Sequence, residues 1–256
     1  MNITIKKPEE IEKIVEGGKR LAAVLSYLMT IVKPGITTLE LDQVAEKMIR
    51  EGGDEPAFLH YTPKGAEYPY PATLCVSVND EVVHGIPTNR VLKEGDIVGL
   101  DLGLKHGGLY VDSAVTVPVG SVSDKDKKLM EITEQSLYKA IAVVKAGQPI
   151  SVIGKAIEKF ATPYKYGIVK ILGGHGVGYK VHEDPYIYNF DSGIRGPLLK
   201  TGMVIAIEPM LNEGTDDVIL ADDGYTFKTA DGKKSAHFEH TMVVTDKGAH
   251  VVTLRA

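Results

Sequence analysis

Leu92-Lys93-Glu94-Gly95-Asp96-Ile97-Val98-Gly99-Leu100-Asp101-Leu102-Gly103, continued by Leu104 to Gly108 and then by Leu109-Tyr110-Val111-Asp112-Ser113-Ala114, is the stretch on which the fold turns. A charged, polar turn feeds a β-rich run that ends in Asp101, and a Lys-His-Gly-Gly turn leads into a second run carrying Asp112. In a hairpin such positions are expected to lie across from each other, on a face otherwise lined by Ile, Val and Leu. An unpaired buried carboxylate costs several kcal/mol or changes its pKa, so a cation is expected nearby. A metal answers that need most simply.

The same pattern recurs further along. Leu92 to Asp101 aligns with Leu199-Lys200-Thr201-Gly202-Met203-Val204-Ile205-Ala206-Ile207-Glu208, and Val83-His84-Gly85-Ile86-Pro87 resembles Val181-His182-Glu183-Asp184-Pro185. Upstream, Lys33 and Gly35 match Lys145 and Gly147, and Ala45-Glu46-Lys47-Met48 matches Ile157-Glu158-Lys159-Phe160. The shifts of 112, 98 and 107 residues differ as loop lengths would make them differ. Each match is weak alone; together they read as one domain over 1–256 built from related halves of roughly 1–120 and 121–256. Asp101 and Glu208 then become equivalents across a pseudo-twofold axis, as do His84 and His182. A site made of such residues belongs where the halves meet, on the inner face of a shared sheet.

Each half should open with two helices. Pro8-Glu9-Glu10 starts the first, whose apolar stripe runs through Ile11, Ile14, Val15, Leu21, Ala22, Leu25, Leu28 and Met29 to Lys33-Pro34-Gly35. Thr37 and Glu40 have capping-box spacing at the head of the second, which stops at Gly52-Gly53. Ser123 caps a third helix, and a short fourth spans Ser151 to Ala161. Between the first pair and the organising hairpin, Pro56 to Thr73 reads as a loop and Leu74 to Val78 as a strand.

Composition sets outer limits. Of 256 residues 43% are hydrophobic and 25% charged, as in a soluble globular protein. A formal charge of -5 argues against a nucleic-acid partner, and one Cys excludes an internal disulfide. Met1 to Glu10 has no apolar core of a secretion signal, and no run approaches the ~18 apolar residues of a membrane span. The expectation is a cytoplasmic chain with no membrane contact.

Three more elements complete a candidate site. Gly173-Gly174-His175-Gly176 sets an imidazole among glycines, Ile205-Ala206-Ile207-Glu208 ends an apolar run in a carboxylate, and Ser235 to Val244 places Glu239 near the start of a final strand. A lone strand Asp serves a turn or an ion pair as readily as a metal; the set carries the inference. Asp101, Asp112, Glu208 and Glu239 with the neutral imidazole of His175 balance two divalent ions and leave room for a bridging water or hydroxide. Carboxylate-dominated ligation with one imidazole suits Mn, Fe, Co or Zn and argues against a closed structural zinc. The Gly-His-Gly segment lacks P-loop spacing, and no G-x-S-x-G is present. Cys75 sits in an apolar run with no base beside it, so packing explains it better than nucleophilic catalysis.

In their local contexts these residues resemble the type I methionine aminopeptidases. The matching motifs are Asn79 to Pro87, Leu100-Asp101 with Asp112-Ser113-Ala114, Gly174 to Gly178, Ile207-Glu208-Pro209 and Ser235 to Thr241, spanning most of the chain. The resemblance implies an α+β fold of the duplicated pita-bread kind, with a curved antiparallel sheet and outer helices. It implies removal of the initiator methionine from the N-terminus of nascent polypeptides whose second residue is small. Asp101 would chelate one metal, His175 and Glu208 the other, and Asp112 and Glu239 would bridge them. His84 would contact the substrate near the scissile amide, His182 would steady the oxyanion, and Glu208 would shuttle a proton to the leaving amine. Tyr70, Cys75, Val181 and Tyr225 match positions lining the methionine pocket, where the family often has Phe and Trp at the last two. A monomer is expected, and a transient ribosome association is compatible with the role.

Departures from the family bear on neighbouring groups. Leu59 to Tyr70 is several residues longer than in the commonest bacterial enzymes, and the spacing of His175 and Glu208 leaves no room for the inserted domain of type II enzymes. Xaa-Pro peptidases of the prolidase type resemble the same fold and ligands but generally carry an additional N-terminal domain. A pita-bread binding protein that had lost catalysis would be expected to lack ligands, and all five are present.

Overall fold

A computed structural model describes residues 2–63 and 65–255. Helices α1 (Pro8–Ile31) and α2 (Thr38–Glu51) precede strands β1 (Glu55–Pro56), β2 (Leu74–Val78), β3 (Glu81–Val83), β4 (Ile97–His106) and β5 (Leu109–Pro118). Helices α3 (Asp124–Val143) and α4 (Ser151–Ala161) then precede β6 (Gly167–Ile168), β7 (Gly174–Gly176), β8 (Glu183–Ile187), β9 (Val204–Ile207), β10 (Met210–Asn212), β11 (Val218–Leu220), β12 (Phe227–Thr229), β13 (Ser235–His237), β14 (His240–Val244) and β15 (Ala249–Val251). Two helices followed by antiparallel strands thus occur twice in succession.

The helix starts follow from capping chemistry. Thr37 accepts the Glu40 amide and Glu40 returns a bond to the Thr37 amide, while Ser123 and Asp126 do the same for α3. Helix α1 buries Ile14, Leu21, Leu25 and Leu28 against β4 and β5, and α3 buries Leu129, Ile132, Leu137 and Ala140.

In the first half β4 lies between β5 and β2, and β1 extends the sheet at the far end of β4. The second half's larger sheet runs β15-β14-β9-β7-β8, with β8 at its edge. The two are stitched where β5 meets the step between β13 and β14: Glu239 donates its amide to the Ala114 carbonyl at 3.0 Å and accepts the Ala114 amide at 3.4 Å.

Two sequence expectations need correction. The run carrying Asp101 continues to His106, so the turn is Gly107-Gly108; Asp101 pairs with Ala114 and Asp112 with Gly103. The two carboxylates are therefore diagonal neighbours on one face, because their separation around the turn is set by the longer strand. Glu239 sits in the irregular step before β14, and β15 rather than β14 is the last strand.

Candidate metal centre and substrate cleft

The cleft has a volume of about 760 Å³, and Asp101, Asp112, His175, Glu208 and Glu239 all line it. Asp101 and Asp112 come from β4 and β5, His175 from β7, Glu208 from the residue after β9, and Glu239 from the β13–β14 step. Gly174 and Gly176 let β7 approach closely: a Cβ at either would lie 2.3 Å from a carbonyl oxygen, of Ala206 or of Asp184. His175 Nδ1 lies 2.9 Å from the Gly176 carbonyl. A carbonyl only accepts, so the proton sits on Nδ1 and Nε2 keeps its lone pair.

That nitrogen is 3.5 Å from Glu208 Oε1 and 4.0 Å from Glu239 Oε1. Ligand atoms held about 2.0–2.2 Å from one ion are at most about 4.4 Å apart, so these spacings suit a shared cation. Donor atoms of Asp112, His175 and Glu239 lie mutually within 4.8 Å. Buried oxygens of Asp101, Asp112 and Glu239 have no hydrogen-bond partner. Buried polar atoms without partners are rare, and three converging on one cleft fit a cation.

The charges agree with the geometry. Burial, then the neighbouring carboxylates, lifts Asp112 and Glu239 well above the ordinary carboxyl range. Burial raises Asp101 to about 6 and Glu208 to about 8, and burial with the nearby His182 pushes His175 down to about 3. The protein thus concentrates four carboxyls and a neutral imidazole where burial first, and then the carboxyls' mutual repulsion, opposes ionisation. Divalent cations relieve that repulsion.

Side chains behind the ligands hold them in place. Thr241 Oγ1 donates to the Asp112 carbonyl at 2.7 Å and accepts its amide at 3.0 Å. Ser113 Oγ donates to the Glu239 carbonyl at 2.7 Å, and Arg255 donates to Ser113 Oγ at 3.1 Å. His237, buried on β13, puts Nε2 3.5 Å from Glu208 Oε2. The sequence reading gave His237 no role, although its i, i+2 spacing from Glu239 placed it in reach.

Beside the carboxylates, Tyr70, Cys75, Val181 and Tyr225 form one buried cluster with Ala57, Phe58 and Ala72, flanked by Tyr61 and Ile86. Tyr70 donates to the Gly85 carbonyl at 3.0 Å, so its hydroxyl is satisfied and its ring faces apolar neighbours. Sequence reasoning gives Phe58 no role and does not place Tyr61; both come from the loop over 56–73, whose path no periodicity reveals. His84, at φ 61°, and His182 also line the cleft. Burial pushes His84 down to about 4, so it is neutral at pH 7. Tyr61 Oη lies 3.1 Å from His182 Nδ1, and the His182 and His175 rings meet edge-on at 4.5 Å.

A two-layered α+β chain with this carboxylate-rich centre is a metallopeptidase in outline. The model of metallopeptidase family M24 matches residues 12–246, and the chain belongs to that family. Among its relatives, methionine aminopeptidase 1 of Bacillus subtilis is 45% identical over 251 residues, covering 98% of this chain and 99% of that protein. The crystal structure of methionine aminopeptidase from Rickettsia prowazekii superposes with a TM-score of 0.94 at 37% identity, covering 99% of this chain and all (100%) of that one. The Thermotoga maritima enzyme of the same name gives 0.93 at 39% identity, covering 98% and 99%. The fold is the pita-bread α+β architecture, and the chain is a metalloaminopeptidase by family. Among the described residues no helix is long and apolar enough to cross a membrane.

Proposed function

We propose that the chain removes the N-terminal methionine from polypeptides with a small second residue, using two divalent ions. The observation that carries this is the apolar cluster of Tyr70, Cys75, Val181 and Tyr225 next to a five-ligand centre in one cleft. In this reading Asp101 would hold one ion, His175 and Glu208 the other, and Asp112 and Glu239 would serve both. When bound, the ions supply an activated water at neutral pH and a Lewis acid for the scissile carbonyl. Co, Mn, Fe and Zn all suit the donor set.

The chain's own groups do the rest. The apolar cluster takes the flexible methionine side chain, a burial worth roughly 1.5–3 kcal/mol. If the Tyr61 hydroxyl donates to His182 Nδ1, the His182 proton sits on Nε2 and is available to the oxyanion that develops on the substrate. His84, neutral through burial, can exchange a hydrogen bond with the scissile amide without bringing a charge. Glu208, which lines the same cleft, would pass a proton to the leaving amine. The same reading treats 1–256 as one catalytic domain of two related halves, working in the cytoplasm as a monomer.

The test is amino-acid release by the metal-reconstituted protein from Met-Ala-Ser, Leu-Ala-Ser and Ala-Pro-Ala. Methionine release from the first peptide alone is expected. Preferential cleavage of Ala-Pro-Ala would move the activity to the Xaa-Pro peptidases, and no release with metals bound would refute it.

A further inference from the structure

The segment before α1 has no part in the chemistry above, yet Asn2 and Thr4 line the same cleft as the metal ligands. It is tied there through Glu183, the residue after His182. Glu183 Oε1 accepts the amide of Tyr179 and, at 2.9 Å, that of Lys180. Glu183 Oε2 accepts the Thr4 hydroxyl at 2.6 Å and the Lys6 ammonium at 2.8 Å. One carboxylate therefore closes the turn that presents Val181 and His182 and fastens it to the N-terminal segment.

The fastening is buried and closely fitted. The Lys6 and Glu183 side chains are 1% and 6% exposed. Lys6 Nζ also donates to Thr4 Oγ1 and stands 4.7 Å from the Tyr179 ring centroid, while Tyr179 Oη donates to Glu10 at 2.7 Å. A Cβ at Gly178, whose φ is 137°, would lie 2.4 Å from Lys6 Cε, so the lysine stem occupies the space a side chain there would need. The Lys6 amide is anchored separately on the Gly202 carbonyl at 2.9 Å.

A buried ion pair is a poor source of stability, because the desolvation of both charges offsets their attraction. Its value lies in geometry. We propose that the Lys6–Glu183 pair is a positioning device that holds the 178–183 turn, and with it His182, in register with the metal centre. This rests on the reading of His182 as the oxyanion partner. Lys6 and Glu183 are positioning residues: among the described residues their side-chain hydrogen bonds and ion pair go to the turn and the N-terminal segment, not to the candidate ligands.

The experiment is a double-mutant cycle on the full, metal-reconstituted chain, with kcat for Met-Ala-Ser normalised to bound metal. Lys6→Met is expected to lower kcat about tenfold with KM changed less than about twofold, the pattern of a displaced group that acts in the transition state. Lys6→Arg should recover most of the loss. In a His182→Ala background Lys6→Met should have no further effect on kcat, since the group it positions is gone. A purely structural role predicts the same factor in both backgrounds, and that result, or an unchanged kcat in Lys6→Met alone, overturns the proposal. Should Lys6→Met fail to fold, Thr4→Val removes one bond to Glu183 without stranding a charge and carries the same comparison. A wild-type protein that releases no methionine, or a His182→Ala variant as active as wild type, would instead refute the underlying reading, and this one falls with it.

Discussion

Removing metal from the carboxylate cluster should make the protein's stability fall with pH in a window set by its own carboxyls. A carboxyl raised in the folded state binds its proton more tightly there than in the unfolded chain. Its stabilising contribution is complete below the ordinary carboxyl value and is lost as pH rises through the folded value. For Glu208 that window runs from 4.5 to about 8, and Asp112 and Glu239 add to it with the same sign. The buried histidines act oppositely: lowered values make folding more favourable as pH rises through the range between their folded and ordinary values. At and above pH 6.5 the folded-state histidines, His175 included, are neutral with or without metal, so in that range the difference between metal-loaded and chelated protein isolates the carboxyls. Between pH 6.5 and 8 Glu208 alone should widen the stability gap by about 2 kcal/mol. At about 2–4 °C per kcal/mol for a chain of this size, the gap in Tm should grow by roughly 4–8 °C. Scanning calorimetry at fixed Mn(II), with and without excess chelator, measures it at each pH. Glu208→Gln should shrink the growth. A gap that stays constant or narrows with rising pH would refute the reasoning, because ionising an unneutralised cluster has to cost more as protons leave.

Other outcomes follow from the same geometry. Asp112→Asn replaces a ligand that has an unpaired buried oxygen and should lower bound metal well below that of wild type at equal free metal, by elemental analysis. His182→Ala should cut kcat roughly 10²-fold, as loss of an oxyanion donor does, while bound metal stays unchanged. Gly103→Ala would put a Cβ 2.6 Å from Phe58 and 2.8 Å from Ala57, so denaturation should show a loss of about 1–3 kcal/mol together with a raised KM for methionyl peptides. Tyr225→Ala should narrow the preference for Met over Leu by roughly 10-fold or more in competition assays, since that ring closes the apolar cluster.

Much of this was legible in the sequence for identifiable reasons. Capping boxes at Thr37 and Ser123 mark helix starts because the bonds they make are three residues apart in the chain. The ligands stand out because Asp101, Asp112 and Glu208 interrupt apolar runs, where a carboxylate has no local partner. What stayed hidden depends on contacts distant in sequence. His237 meets Glu208 through the pairing of β13 with β10, and Tyr61 meets His182 across 121 residues of chain. The diagonal placement of the two aspartates depended on how far β4 continues past Asp101, which alternation alone does not limit. Nothing in the sequence sets Lys6 or Glu183 apart until the fold brings the first residues against the cleft.

The reciprocal Ala114–Glu239 bonds make one residue both a seam between the two sheets and a side chain of the metal centre. With ions bound as proposed, such a centre would work as a rivet: carboxylates from both sheets would share them and hold those sheets at one separation. Breathing between the sheets would pull ligands apart, so catalysis here does not gain by closing like a jaw. Beyond the buried apolar cluster that would take the methionine side chain, contacts with the rest of a peptide would then fall to the rim, which the long loop and the N-terminal segment help to form.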